Sequence, residues 1–244
     1  DVVDAMSWRT FLTISIPCGV VTSLDVALSN LSMVYITVTF YTMVKSSSPI
    51  FTLICAFALG IERVQRSLLA VVAVIAVGEL LAVYGETDFS MIGFMLCLGA
   101  SLLSGLRWTL VQRKIANLDP PLRSPLATLR VIAPSMYFTI LLFSMIYERP
   151  WELIGGDSVY FEDAGALFST FLLSLLGGAL AVSMMLAEFG LMLKSSAMVL
   201  MIGGVMKELL TIAMGVYVLG DVLTATNVAG FAIVLSGVFG FKYS

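Results

Sequence analysis

Histidine is missing from the 244 residues, and charged side chains make up only 12% of them. Without histidine the chain lacks the group that most often shuttles protons or ligates metals near neutral pH. Cys18, Cys55 and Cys97 are odd in number and far from any paired-cysteine spacing, and each lies in an apolar stretch as a small buried hydrophobe. No basic cluster points to a nucleic-acid polymer. No aspartate pair on a GxGD-type motif and no serine–base set points to an intramembrane enzyme. A bound cofactor or metal is therefore not expected. No signal segment is expected at DVVDAMSWRT, which is polar and runs straight into apolar chain.

What the chain has instead is apolar length. It is 59% hydrophobic with mean hydropathy +1.03, against about 45–50% apolar and about 25% charged residues in a soluble domain. That composition specifies an all-α polytopic protein in a lipid bilayer. Eight spans follow from the apolar runs, near 10–31, 36–59, 67–84, 89–112, 125–147, 166–191, 196–219 and 223–242, with one long connection around 148–165. Net charge is -3, but its distribution matters more than its sum. Arg9, Arg63, Arg66, Arg113, Lys114, Arg123, Arg130, Lys194 and Lys242 fall at one set of span ends. Glu86, Asp88, Glu148, Glu152, Asp157, Glu162 and Asp163 fall at the other, with Arg149 the basic exception. The positive-inside rule puts the basic ends, and both ends of this chain, in the cytosol.

Two lysines stand near the middle of apolar spans: Lys45 in YTMVKSSSPIFTLICAFALG and Lys207 in SSAMVLMIGGVMKELLTIAMGVYVLG. A lysine at a helix centre costs roughly 2.5–3.5 kcal/mol to insert, so each is expected to hold a partner or a ligand. Pro49 withholds the N–H that the Lys45 carbonyl would accept, so that helix should bend, with Ser46, Ser47 and Ser48 able to serve the freed backbone. Gly203 and Gly204, one turn before Lys207, permit close approach by a neighbour. Two lysines at equal depth would grip a diphosphate from both sides. The alternative is that they are neutralised by Asp25, Glu79, Glu188 or Glu208 and only tie helices together. Arg107 and Glu188, near cytosolic span ends, are a candidate gate pair, unless the arginine snorkels to the interface; Asp25 and Glu79 are the candidate luminal counterpart. Ser29, Asn30, Tyr41 and Arg107 are candidate contacts to a sugar or base, and Met184 and Met185 read as packing.

The chain also repeats itself weakly. Lys45 is followed by GIER and then VVAVIAVG; Lys207 is followed by GD and then FAIVLSG. Glu62 to Gly78 is the same step as Asp221 to Gly237, with Ala70 matching Ala229, while the lysines are offset by three residues. Five spans separate matching points, so the halves would be inverted, as in secondary transporters. A first unit equal to the second needs two more spans before the first one here, so residues 1–88 read as three helices of one unit and 89–244 as a whole second unit.

SLDVALSN (23–30), YTMVKSS (41–47), GLRWTLVQ (105–112), AEFGL (187–191) and GGVMKE (203–208) together resemble the triose-phosphate-translocator branch of the drug/metabolite transporter superfamily, most of all its nucleotide-sugar-transporter-like members related to GDP-fucose transporters. The resemblance implies a ten-helix fold of two inverted five-helix repeats, here without the first two helices. It implies a nucleotide sugar or sugar phosphate as substrate, a phosphate-bearing counter-substrate, and a Golgi or endoplasmic-reticulum membrane. Lys45 and Lys207 match the family's lysines in its fourth and ninth helices. The arginine that follows the second lysine in sugar-phosphate carriers is Glu208 here, which argues against a plastid-type triose-phosphate exchanger. Gly203 to Lys207 is similar to the GxxxK motif of nucleotide-sugar carriers. A cation or drug exporter working through membrane carboxylates, and a non-transporting regulator on the same fold, are the competing readings. A homodimer is compatible with all of them.

Overall fold

In lipid every backbone N–H and C=O must be satisfied within the protein, which leaves helices as the natural element for a chain this apolar. The computed structural model describes residues 6–61, 66–86, 89–115, 124–155, 164–194 and 197–240, and the long elements among them are all helical. In chain order they are α1 (Trp8–Ser32), α2 (Val38–Lys45), α3 (Ser48–Ala58), α4 (Arg66–Tyr84), α5 (Met91–Ile115), α6 (Pro125–Tyr147), α7 (Pro150–Gly155), α8 (Ala164–Lys194), α9 (Ala197–Met214) and α10 (Ala225–Gly240), with a π-helical turn at Gly215–Leu219 continuing α9. Glu62, Arg63, Asp88, Arg123, Asp157, Glu162, Asp163 and Lys242 lie outside the described residues, as do the side chains of Arg66 and Lys194.

The eight expected spans each have a counterpart, with two refinements. The span 36–59 is not one helix but α2 and α3 in series, and the connection at 148–165 contains the short helix α7. Among the described residues α1, α5, α6 and α8 are each long and apolar enough to cross a bilayer alone. The α2–α3 pair, and α9 with its π-helical turn, reach that length only in combination.

The break between α2 and α3 has the cause read from Pro49. Proline sits in the first turn of α3, where its missing N–H is harmless to α3 but takes one bond from a continuous helix; α1 and α6 run on past Pro17 and Pro134, so at Pro49 the proline favours the break and the serines beside it complete it. The last three carbonyls of α2 are taken up by the serines that follow: Ser46 Oγ donates to Met43 O at 2.6 Å, Ser47 Oγ to Val44 O at 2.7 Å and Ser48 Oγ to Lys45 O at 2.6 Å. The turn is therefore satisfied by its own hydroxyls.

Packing is organised around two helix sets. α1 lies against α5 and α6, α3 against α5, and α4 against α10, with α2 reaching α4, α5 and α9. Ile14, Cys18, Val111, Val131, Ile132 and Phe189 close one core between α1, α5, α6 and α8; Met43, Ala82, Ile212 and Phe231 close another between α2, α4, α9 and α10. All three cysteines are buried free thiols. Where α4 crosses α10, a Cβ on Gly78 would come 2.7 Å from the Gly230 carbonyl oxygen, so the two backbones touch there and only glycine fits. α8 is the contrast: its apolar stretch Gly165–Leu191 contributes no buried residue along its most hydrophobic window.

Candidate functional site

Lys45 ends α2, and its ammonium turns towards α1, where Asp25 and Ser29 are one helical turn apart on the same face. Lys45 Nζ lies 2.5 Å from Asp25 Oδ1 and donates to Ser29 Oγ at 3.1 Å. The other Asp25 oxygen lies 3.5 Å from Arg107 Nε on α5. Arg107 Nη2 lies 4.0 Å from Glu188 Oε2 on α8, and Glu188 Oε1 lies 3.9 Å from Lys207 Nζ on α9. Five charges of alternating sign thus connect five helices, running Lys45, Asp25, Arg107, Glu188, Lys207. Three cations against two anions leave the chain of charges one positive unit in excess.

The links are unequal. Lys45–Asp25 is a short charge-assisted bond between side chains 19% and 6% exposed, within a site dry enough to make it strong. The three links through Arg107 and Glu188 are all longer than the roughly 2.7–2.9 Å of a charge-assisted hydrogen bond, and Arg107 Nε is buried with no hydrogen-bond partner. Arg107 nevertheless does not leave for the interface: its side chain is 14% exposed, and its guanidinium carbon stands 4.7 Å from the centre of the Trp108 ring, a stacking contact that favours a cation. Lys207, with a side chain 57% exposed, is the open end of the series.

Several expectations change on this geometry. Asp25 does not form a second pair of groups with Glu79; it joins the same series as Arg107, whose Nε lies 3.5 Å from its second oxygen across the α1–α5 contact. The two lysines do not face each other directly, since Asp25, Arg107 and Glu188 stand between them along the ion-pair path. Asn30 is exposed on α1 and takes no part. Among the described residues Gly204 receives no neighbour: a Cβ there would meet nothing within 4 Å. Tyr41 packs beside Phe40, Val44 and Cys97 with its phenol towards Ser29. Glu208 makes no ion pair among the described residues. Glu79 is buried on α4 and neither of its oxygens has a hydrogen-bond partner; the Ser47 hydroxyl beside it is committed to the Val44 carbonyl.

Comparison with known proteins bears on what such a site is for. The family model described as the Triose-phosphate Transporter family matches residues 3–244. The chain belongs to that family. An Arabidopsis thaliana member described as a probable sugar phosphate/phosphate translocator is 38% identical over 238 residues, covering 98% of this chain and 57% of that protein. A second Arabidopsis member with the same description is 29% identical over 239 residues, 98% of this chain and 65% of its own length. A Saccharomyces cerevisiae member provisionally named a nucleotide-sugar transporter is 26% identical over 303 residues, 98% of this chain and 69% of its own. The chain thus spans between about half and two thirds of the length of these triose-phosphate transporter relatives, whose names describe carriers and not enzymes.

Proposed function

We propose that the whole protein exchanges a phosphate-bearing solute, a sugar phosphate or a nucleotide sugar, for a second phosphate-bearing compound across a secretory-pathway membrane by alternating access. The observation that carries this is the looseness of the series at Arg107 and Lys207 beside the tightness at Lys45. A phosphate brings oxygens that satisfy Arg107 Nε and the fork of its guanidinium better than carboxylates at 3.5 and 4.0 Å do. Arg107 and Lys207 then hold the phosphate with Glu188 displaced, and Lys45 with Ser29 and Tyr41 completes the site. Asp25 and Glu188 occupy the same cations when no solute is bound, so the empty carrier is held together and reorients poorly, which favours exchange over leak.

Two inverted units are the frame we propose for this cycle. The matched glycines support it, since Gly78 and Gly237 both lie on the α4–α10 contact. The bare face of α8 supports it too: α1 is covered by α5 and α6, and in an inverted arrangement the equivalents of those two helices would cover α8. Basic span ends in the cytosol and a Golgi or endoplasmic-reticulum location belong to the same proposal.

The test uses the full-length protein in proteoliposomes preloaded with unlabelled solute. Counterflow of labelled nucleotide sugars or sugar phosphates that is lost in Arg107→Ala and Lys207→Ala supports the reading. A second reading, export of organic cations, is favoured by one observation, the unpartnered carboxyl of Glu79. Cation transport that survives both substitutions and fails in Glu79→Gln would replace the first reading with the second.

A further inference from the structure

At the end of the bundle that carries Glu86 and Glu148, three segments converge: the first turn of α2, the π-helical turn after α9, and residues 220–224 leading into α10. The first turn of any helix presents N–H groups with no partner of their own. In α2 one of these is met locally, by Thr37 Oγ1, which accepts from Phe40 N–H at 3.1 Å. Another is met from across the protein: Asp221 Oδ2 accepts the N–H of Thr39 at 3.0 Å, 182 residues away in sequence. A carboxylate at a helix N-terminus also meets the positive end of the helix dipole.

Asp221 is held rigidly for this contact. Its own N–H donates to Gly215 O at 3.1 Å, and Gly220, at φ +76°, makes the left-handed turn that brings it there. α10 behind it is fastened to α4, through Thr224 Oγ1 to Gly85 O at 2.9 Å and Asn227 Nδ2 to Ala82 O at 2.8 Å. Gly215 completes the seal. A Cβ there would collide with Thr39 Oγ1 and stand 3.0 Å from Asp221 Oδ2, so the two segments close only because that position has no side chain.

The other partner in the contact is built to move. α2 has eight residues, and the bonds of the Ser46–Ser48 turn are all to its own carbonyls, so swinging α2 about that turn releases Thr39 from Asp221, the weak Cys97 Sγ–Tyr41 O bond at 3.6 Å and the Tyr41 phenol from Ser29, and leaves the turn intact. Lys45 stands at the pivot and Thr39 at the tip. Towards the opposite end, α3 packs on α5; α2 meets α9 through Met43 and Ile212 in the apolar core, and the hydrogen bond that draws the two sides together is at the Asp221 end.

We propose that Asp221 is the latch of the gate at this end: its carboxylate on the first turn of α2, with Gly215 beneath, closes the pathway to the Lys45–Lys207 series, and release of Thr39 lets α2 swing and opens it. The proposal rests on the transporter reading, and no residue of the latch belongs to the ion-pair series.

The test is accessibility in the full-length protein, with Cys18, Cys55 and Cys97 replaced by alanine and Met43→Cys as the reporter. Met43 is 2% exposed, in the core between α2, α4, α9 and α10, and is uncovered when α2 parts from α9. A membrane-impermeant maleimide is applied from the side of the acidic loops, without solute. Removing a charged acceptor is worth on the order of 1.5–3 kcal/mol, so Asp221→Ala should raise the labelling rate about 10-fold or more, and Asp221→Asn by less. Gly215→Ala, which wedges the same contact from beneath, should raise it independently. A melting curve on each variant separates gate opening from unfolding: faster labelling with an unchanged melting point supports the latch. Labelling unchanged in both Asp221→Ala and Gly215→Ala, or raised only in variants that melt early, overturns it. Counterflow is measured separately on the protein with its native cysteines. A wild type that exchanges no phosphate-bearing solute sinks the transport reading alone, because the labelling needs no solute.

Discussion

Asp25 and Lys45 lie 2.5 Å apart, yet Asp25 is not Lys45's alone: its second oxygen points to Arg107 at 3.5 Å. One buried carboxylate therefore restrains two of the three cations of the site. Removing it by Asp25→Ala leaves Lys45 without its carboxylate and Arg107 with Glu188 alone at 4.0 Å, and breaking a buried pair this way typically destabilises by about 3–5 kcal/mol. The loss should be largely reversed by millimolar inorganic phosphate or a phosphorylated solute, read as a melting-point rise larger in the variant than in wild type. A variant whose melting point ignores phosphate would mean that these cations do not face the solute.

The lysines should separate in their effects. Lys207 is half-exposed and paired only at 3.9 Å, so Lys207→Ala should change stability by less than about 1 kcal/mol while weakening solute binding at least tenfold. Lys45→Ala takes away the tight partner of Asp25 and should lower the melting point as well as binding. Calorimetric titration beside thermal denaturation checks both. Equal melting-point losses in the two variants would assign Lys207 a structural role.

Glu79→Gln replaces a buried carboxyl that has no hydrogen-bond partner with a neutral amide of the same size. Since the change breaks no hydrogen bond and swaps one unpartnered polar group for another, stability should change little, and exchange of phosphate-bearing solutes should continue. Loss of that exchange with the fold intact, seen in the same proteoliposomes, would give Glu79 a part in the cycle.

Gly230→Leu forces a side chain between the backbones of α4 and α10. Overpacking of this kind costs about 1–3 kcal/mol or more, and here the obstacle is backbone: a Cβ would stand 2.6 Å from Gly78 O. Melting in detergent should drop by several degrees, whereas Gly204→Leu, in open space, should be close to neutral.

The fold was legible because its signals are local. Apolar run length gives the spans, and Pro49 marks the break between α2 and α3 by the chemistry of one missing N–H. The members of the site were legible for a related reason: charged residues inside apolar helices are few enough to name, and Asp25, Lys45, Arg107, Glu188 and Lys207 were all among them. Their connectivity was not, because it depends on how α1, α5 and α8 lean on one another and on which way the Arg107 side chain slants. Asn30, polar and one position from Ser29, faces out by helix geometry alone: neighbouring positions are about 100° apart, and a face assignment for α1 separates them. Asp221 was visible only as a repeat marker beside Gly220. Nothing local ties it to Thr39, and contacts across 182 residues carry no signature in a single sequence.

Pro49 has a consequence for the charge of its span. Pro17 and Pro134 each stand inside a helix that runs on past them, whereas at Pro49 three serine hydroxyls also take up the carbonyls before it. The α2–α3 break is thus an elbow made of one missing N–H and three hydroxyls. The residue at the elbow is Lys45, so the charge of this span stands at its joint, where a change in the angle between α2 and α3 would displace it least.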